Sequence, residues 1–136
     1  MLLMSRDPCI LAVDDEAFVL DILVDDLTDA GFKVMRAENG PQAIQTLGEL
    51  EYCDAIVLDR MMPGMDGIEV LQELKATPQY KNIPVILQTA DGQHEHIEES
   101  MKAGAYCYLV KPYNEKALLS AVQSAIKNSR KQSPVN

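Results

Sequence analysis

Five side chains that could handle a phosphoryl group stand in four short segments of the sequence: Asp14 with Asp15, then Asp59, Thr89 and Lys111. Clustered carboxylates repel one another unless a cation joins them, and a hard cation with oxygen ligands, such as magnesium, relieves that repulsion. The Asp59 carboxylate could then attack phosphorus and form an acyl phosphate. Lys111 and Thr89 would hold the other phosphoryl oxygens. The residue types therefore indicate magnesium-assisted phosphoryl transfer.

The elements that must bring these residues together are five short apolar segments, which alternate with five longer amphipathic ones. The apolar segments cover residues 9–13, 32–37, 55–58, 85–89 and 105–110. Four are nearly continuous, as is typical of strands buried on both faces of a parallel sheet, whereas 32–37 alternates apolar and basic residues and predicts an edge strand. Right-handed crossovers make this pattern an open, doubly wound α/β sandwich, (βα)5. Such sheets place their sites at the carboxyl ends of the strands, where all five candidate residues lie.

The amphipathic segments predict helices with one buried face. The first has Val19, Ile22, Leu23, Leu27 and Ala30 in one apolar stripe, and Gly31 is expected to end it. The other helices are expected to begin after Asn39 as a cap, near Gly67, near Gln93 and near Asn114.

The amino-acid composition and the net charge argue against several classes of function. The 136 residues include 12 Lys and Arg against 21 Asp and Glu, and the net charge of -9 opposes direct binding to nucleic acid or to an anionic membrane surface. No apolar run is long enough to span a bilayer, and the first residues do not form a signal peptide. A cytoplasmic location is therefore expected. Cys9, Cys53 and Cys107 are then expected to be small hydrophobic residues rather than disulfide partners.

The ordered motifs resemble those of a response-regulator receiver domain, the phosphoacceptor module of two-component signalling. The matching segments are VDDE at 13–16, LDRMMPGMDG at 58–67, QTA at 88–90 and AGAYCYLVKPY at 103–113. The resemblance covers about residues 8–127. It implies a flavodoxin-like sheet with strand order 2-1-3-4-5, a receiver domain over 1–127, and a C-terminal tail or the start of a linker over 128–136.

The resemblance also implies a role for each residue of the metal site. Asp59 would be the phosphoacceptor and a magnesium ligand. Asp15 would bind Mg2+ directly, Asp14 partly through water, and the backbone carbonyl of Met61 would complete the protein ligands. Lys111 would pair with the phosphoryl group.

The same resemblance leads to expectations for residues outside the metal site. Thr89 and Tyr108 would form the switch pair, in which the hydroxyl moves to the phosphoryl group and the ring turns inward. The bond from Lys111 to Pro112 is expected to be cis. Gln88 stands where the family more often has a small or apolar residue, and Arg60 beside the acceptor is expected to shape access to it.

The partners implied are a histidine kinase or a histidine phosphotransfer protein as donor, and an effector protein or a missing output domain as receiver of the signal. A phosphorylation-dependent homodimer is a further expectation. The signal would leave through the face built from the fourth helix, the fifth strand and the fifth helix. Such a domain catalyses its own aspartyl phosphorylation and dephosphorylation, but it is a switch rather than a turnover enzyme.

The residues argue against three other functions. A hydrolase with an aspartyl-phosphate intermediate needs Asp-x-Asp, and Met61 stands where the second carboxylate would be. A degenerate receiver that only binds proteins would lack the acceptor, the acidic pair or the lysine, and all are present. A flavodoxin-like cofactor binder would have a Ser/Thr/Gly-rich loop after the first strand, where this chain has Asp14, Asp15 and Glu16.

Overall fold

The computed structural model describes residues 7–90 and 94–132, which form one parallel sheet between two helical layers. The strands are β1 (Cys9–Val13), β2 (Lys33–Ala37), β3 (Ala55–Asp59), β4 (Val85–Thr89) and β5 (Cys107–Val110). The helices are α1 (Ala17–Asp29), α2 (Gly40–Glu49), α3 (Gly67–Ala76), α4 (His94–Lys102) and α5 (Glu115–Gln132). The strand order is β2-β1-β3-β4-β5, so the predicted (βα)5 fold and its strand order are both confirmed.

Alternation along the strands divides the apolar core into two layers. Leu11 and Val13 of β1 face the layer shared with α2 and α3, whereas Ile10 and Ala12 face the layer shared with α1 and α5. The three central strands β1, β3 and β4 are buried along their whole length. Two-sided burial holds these strands rigidly, and their carboxyl ends can therefore position functional groups accurately.

The two edge strands differ from the central three. β2 is an edge strand as predicted, with Lys33 and Arg36 exposed and the Arg36 guanidinium 2.6 Å from Asp21 Oδ1. The expectation that 105–110 is buried on both faces was wrong, because β5 is the other edge and is only partly covered, with Val110 exposed. Its apolar composition does not reveal its place in the sheet, which depends on pairing to β4 alone.

The buried stripe of α1 is narrower than the sequence pattern predicts. Leu20, Leu23 and Leu27 are buried against the sheet, but Ile22 is 46% exposed and Ala30, just beyond the helix, is exposed as well. Ile22 precedes Leu23 by one residue and so lies about 100° around the helix from it. Phe18, one turn before Ile22, is 76% exposed. The prediction that Ile22 belongs to the buried face was therefore wrong.

Local hydrogen bonds fix where the helices begin. The Asn39 side chain accepts a bond from the Gln42 backbone N at 2.8 Å, which confirms the predicted cap of α2. Asp66 and Glu69 form a reciprocal capping box at the start of α3, with two bonds of 3.0 Å. At the other end of the chain α5 continues to Gln132, beyond the domain boundary expected at residue 127, and that boundary stays a prediction.

The three cysteines are not in disulfides, with Cys9 buried and Cys53 and Cys107 partly buried. Burial raises the pKa of Cys53 to about 12, so its thiol stays protonated at neutral pH. The prediction that the cysteines are not disulfide partners is confirmed. Within the part of the chain that the structure describes, none of the helices has the length and hydropathy needed to cross a membrane.

Gly31 ends α1 in the left-handed region, with φ +99, and a Cβ there would meet no atom within 4 Å. We expect Gly31→Ala to lower the free energy of unfolding by about 1 kcal/mol, through backbone strain alone. Gly48 lies in α2, and a Cβ there would meet only the Tyr80 hydroxyl oxygen, at an ordinary contact distance of 3.9 Å, so Gly48→Ala should instead raise stability by up to about 1 kcal/mol. Urea denaturation of both variants checks this, and a stabilising Gly31→Ala would contradict it.

Candidate functional site

The register of the sheet brings the chemically active residues to one edge. Asp59 is the last residue of β3 and pairs with Gln88 of β4, while Thr89 ends β4 and pairs with Val110 of β5. Asp14 follows β1 directly. Lys111 follows β5, and its backbone N donates to the Thr89 carbonyl at 2.7 Å.

Three of these residues form an acidic cluster. Carboxylate oxygens of Asp14, Asp15 and Asp59 all lie within 4.8 Å of one another, with Asp14 and Asp59 buried and Asp15 exposed at the mouth. The Lys111 ammonium lies 3.1 Å from Asp14 Oδ2 and 3.8 Å from Asp59 Oδ1. One ammonium thus faces three carboxylates, which leaves the pocket short of positive charge.

Asp14 is fully buried and held through both of its carboxylate oxygens. Oδ2 accepts hydrogen bonds from Lys111 Nζ at 3.1 Å and from Gln88 Nε2 at 3.2 Å. Oδ1 accepts a bond from the Glu16 backbone N at 2.9 Å. The Asp14 backbone N donates to the Ala37 carbonyl at 3.2 Å. These bonds fix the direction in which the carboxylate points.

Asp59 is 3% exposed, and its Oδ1 accepts a bond from the Met61 backbone N at 3.2 Å. Burial, and after it the nearby Asp14 carboxylate, raises the pKa of Asp59 to about 7, against the opposing effects of Lys111 and the Met61 N–H. A divalent cation bound among these oxygens would lower the pKa of Asp59 again. The donor set is hard oxygen at three side chains, which fits magnesium better than a thiolate-seeking metal.

The backbone after Asp59 returns to α3 through a very close contact at Gly67. The Gly67 N donates to the Arg60 carbonyl at 2.9 Å. A Cβ on Gly67 would stand 2.5 Å from the Asp59 carbonyl oxygen and 2.6 Å from Arg60 Cα. Only glycine therefore fits here, and the contact fixes the backbone that carries the Asp59 carboxylate. The Met61 side chain, by contrast, is 58% exposed at the rim.

Arg60 was expected to shape access to Asp59, but its side chain extends to α4. The guanidinium is largely buried and forms an ion pair with Glu99, and one of its nitrogens lies 3.9 Å from the Met61 sulfur. Its Nε has no hydrogen-bond partner among the described residues. The residue after the candidate acceptor is thus tied directly to the fourth helix.

The predicted switch residues lie on one face of the sheet. Tyr108 pairs with Leu87, two residues before the buried Thr89, and packs partly buried against the core layer next to α2 and α3. Alternation then puts Thr89 on the same face as Tyr108, one pleat closer to the acidic cluster. The bond between Lys111 and Pro112 is cis, which confirms that prediction.

Sequence reasoning missed the role of two residues beside the cluster. The Gln88 amide donates to Asp14 and accepts a hydrogen bond from the Tyr113 hydroxyl. Burial, and after it the nearby carboxylates, raises the pKa of Tyr113 to about 12, so the phenol remains a donor at neutral pH. The signal was a long polar side chain that follows three apolar residues in a buried strand, because a buried amide requires hydrogen-bond partners.

This geometry can be compared with known proteins. The family model described as "Response regulator receiver domain" matches residues 10–123. The chain belongs to this family. It is 35% identical over 132 residues to the transcriptional regulatory protein ResD of Bacillus subtilis, covering 97% of this chain and 53% of that protein. It is 33% identical over 118 residues to the phosphate regulon transcriptional regulatory protein PhoB of Escherichia coli, covering 87% of this chain and 51% of that protein.

Solved structures of receiver domains are similar as well. The chemotaxis protein CheY4 of Vibrio cholerae has a TM-score of 0.83 and 32% identity, covering 88% of this chain and 99% of that one. A receiver domain protein from Clostridium thermocellum has a TM-score of 0.86 and 28% identity, covering 93% of this chain and 99% of that one. The chain is therefore a receiver domain, the signalling switch of two-component response regulators, and it spans about half the length of the curated relatives it matches.

The raised pKa of Asp59 makes stability depend on pH. The pKa is 3.8 in an unperturbed carboxyl and about 7 in the folded protein, so folding takes up a proton between these values. The stabilising contribution is fully present below about pH 4 and is lost as the pH rises through about 7. Without divalent cations, the free energy of unfolding of Asp59→Asn should increase relative to that of the wild type as the pH rises. The change in this difference should reach on the order of 2 kcal/mol at alkaline pH.

Urea denaturation in EDTA at several pH values measures this difference. Asp25→Asn, at an exposed position of α1, is the control and should keep a nearly constant difference from the wild type. A difference for Asp59→Asn that does not change with pH would contradict the raised pKa.

Proposed function

We propose that Asp59 accepts a phosphoryl group from a phosphohistidine donor, supplied by a histidine kinase or a histidine phosphotransfer protein. One observation carries the proposal: the Asp59 carboxylate lies buried among two further aspartates and the Lys111 ammonium at the carboxyl edge of the sheet. In the transfer, an Asp59 oxygen forms a bond to phosphorus while the bond from phosphorus to the donor nitrogen breaks. The imidazole nitrogen keeps that electron pair, and an acyl phosphate results.

The surrounding residues supply charge and position. Asp14, Asp15, Asp59 and the Met61 carbonyl would hold Mg2+, which when bound neutralises carboxylate charge and stabilises charge on the group in transfer. Lys111 now bonds to Asp14 and lies 3.8 Å from Asp59, so its ammonium can turn to a phosphoryl oxygen with little movement. Asp59 must be ionised to attack, and the positive charge of Lys111 favours that form.

The signal would then pass to the face formed by α4, β5 and α5. The Thr89 hydroxyl would move to a phosphoryl oxygen, and Tyr108 on the same sheet face would turn inward behind it. The Arg60–Glu99 pair gives α4 a second connection to the acceptor. This face would contact an effector protein, an output domain elsewhere in a longer chain, or a second copy of the phosphorylated domain.

The domain limits and the cellular setting belong to the same proposal. Residues 1–127 would form the receiver domain, and 128–136 would be a tail or the beginning of a linker. The domain would act in the cytoplasm as a switch that catalyses its own phosphorylation and dephosphorylation. Its net charge of -9 argues that the receiver does not itself bind nucleic acid, so any DNA contact would come from a partner.

Acetyl phosphate with Mg2+ tests the acceptor. We expect intact-mass spectrometry to show one added phosphoryl group that hydroxylamine removes, because an acyl phosphate is labile to this nucleophile. Asp59→Asn should abolish the adduct, whereas the matched change Asp25→Asn on the exposed face of α1 should preserve it. An adduct that persists on Asp59→Asn would place the acceptor elsewhere and overturn the proposal.

Met61 is expected to slow the loss of the phosphoryl group. Hydrolysis needs a water aligned opposite the Asp59 oxygen, and the exposed Met61 side chain offers bulk and only a weak thioether acceptor there. Met61→Asn should speed decay several-fold, since one hydrogen bond to the attacking water contributes about 1 kcal/mol. The decay of phosphorylated protein after donor removal measures the rate.

Met101→Asn, at an exposed methionine of α4, is the control for that measurement and should decay like the wild type. Decay of Met61→Asn at or below the wild-type rate would refute shielding by Met61. The alternatives would then be Arg60 or Asp91, of which Asp91 lies outside the described residues.

A further inference from the structure

We propose that Gln88 is a positioning residue for magnesium binding: its amide holds Asp14 in the orientation that the metal needs, and Tyr113 fixes that amide. The inference rests on the proposed function, because it assigns residues to the metal site of that reaction. Neither side chain is itself expected to touch the ion. Both act through Asp14.

Gln88 is placed for this role by the sheet. It is fully buried in β4 and pairs with Asp59 of β3, and its backbone carbonyl accepts a bond from the Arg60 N at 2.9 Å. The residues before it in the strand, Val85 to Leu87, are apolar and buried. A buried amide in such a strand costs free energy unless both its ends are hydrogen-bonded, and here both are.

The direction of the amide follows from the chemistry of its two partners. An ionised Asp14 can only accept hydrogen bonds, so the Gln88 nitrogen must face it, and that bond is 3.2 Å long. The Gln88 oxygen then faces the Tyr113 hydroxyl, which must be the donor. Asp14 thus sets which end of the amide faces it, and the Tyr113 hydroxyl anchors the other end.

Gln88 and Lys111 have different tasks at the same oxygen. Both donate to Asp14 Oδ2, but the Lys111 ammonium also lies 3.8 Å from Asp59 and would be drawn to a phosphoryl group there. The amide is anchored at its far end by Tyr113 and is fully buried. Gln88 can therefore keep Asp14 oriented when Lys111 leaves it.

Replacing this second donor should weaken metal binding. Gln88→Met keeps the approximate volume and removes both hydrogen bonds, and partners that orient a ligand typically change metal affinity by tenfold or more. We expect the Kd for Mg2+ to rise about tenfold in Gln88→Met. Tyr113→Phe should raise it by a smaller factor, because the amide remains but loses the hydrogen bond that anchors its far end.

The effects of Gln88→Met and Tyr113→Phe on the Kd for Mg2+ should not add. If Tyr113 acts on the metal only through the Gln88 amide, Tyr113→Phe made in the Gln88→Met background should leave the Kd for Mg2+ unchanged. The matched control is Tyr106→Phe. Tyr106 also uses its hydroxyl in hydrogen bonds, to Ser124 at 2.7 Å and Asn128 at 2.6 Å, but these lie at the other end of β5.

Isothermal titration calorimetry with MgCl2 gives each Kd, and thermal unfolding in EDTA gives the stability of each metal-free variant. The expected result is a weaker Kd in Gln88→Met and Tyr113→Phe, no further loss in the double variant, and a wild-type Kd in Tyr106→Phe. Wild-type Kd values in both single variants would overturn the inference, even if their melting temperatures fall, because the side chains would then serve packing alone.

Three further outcomes are decisive. Should Gln88→Met fail to fold, Tyr113→Phe decides by itself, since it preserves the ring and removes only the hydroxyl. Wild-type protein that neither binds Mg2+ nor reacts with acetyl phosphate would overturn the proposed function, and this inference with it. Wild-type protein that does both, beside variants with unchanged Kd, would overturn this inference alone.

Discussion

Electrostatic repulsion among Asp14, Asp15 and Asp59 is the constraint on which the rest of the structure depends. Their oxygens lie within 4.8 Å of one another, and the Lys111 ammonium offsets only part of their charge. Burial strengthens the repulsion, because the low local dielectric screens it poorly. Burial first, and the Asp14 carboxylate second, raise the pKa of Asp59 to about 7. A cation bound among these carboxylates would offset their charge and so lower the free energy of the folded site.

The fold withstands this cost because the carboxylates are attached to its most rigid part. β1, β3 and β4 are buried along their length between the two core layers, and the contact at Gly67 leaves the backbone around Asp59 no room to shift. Backbone donors at Glu16 and Met61 fix individual oxygens of Asp14 and Asp59. The stability of the core thus supports the unfavourable cluster at its edge.

The strands and the grouping of the candidate residues could be predicted because they depend on local patterns and on parallel topology, whereas the strand order was implied by the resemblance to receiver domains. Apolar runs mark the strands, and parallel topology brings their carboxyl ends together. Exposure was harder to predict: Ile22 lies outside the buried stripe of α1, and β5 is an edge, because both depend on which neighbour covers a surface. The ion pair of Arg60 with Glu99 joins residues 39 positions apart, and a local sequence pattern cannot indicate such a contact.

Long-range polar contacts also explain how a change at Asp59 can reach distant elements. Arg60 follows Asp59 directly, and its guanidinium forms an ion pair with Glu99 of α4, so the backbone at the proposed acceptor has a connection to that helix that does not involve Thr89. On the opposite face of β4, Gln88 joins Asp14 to Tyr113, two residues before α5 begins. The neighbouring strands β3 and β4 are therefore connected to two different helices, β3 to α4 through Arg60 and β4 to the start of α5 through Gln88. Both helices pack beside β5, so the two connections lead to the face to which the proposed function assigns the signal.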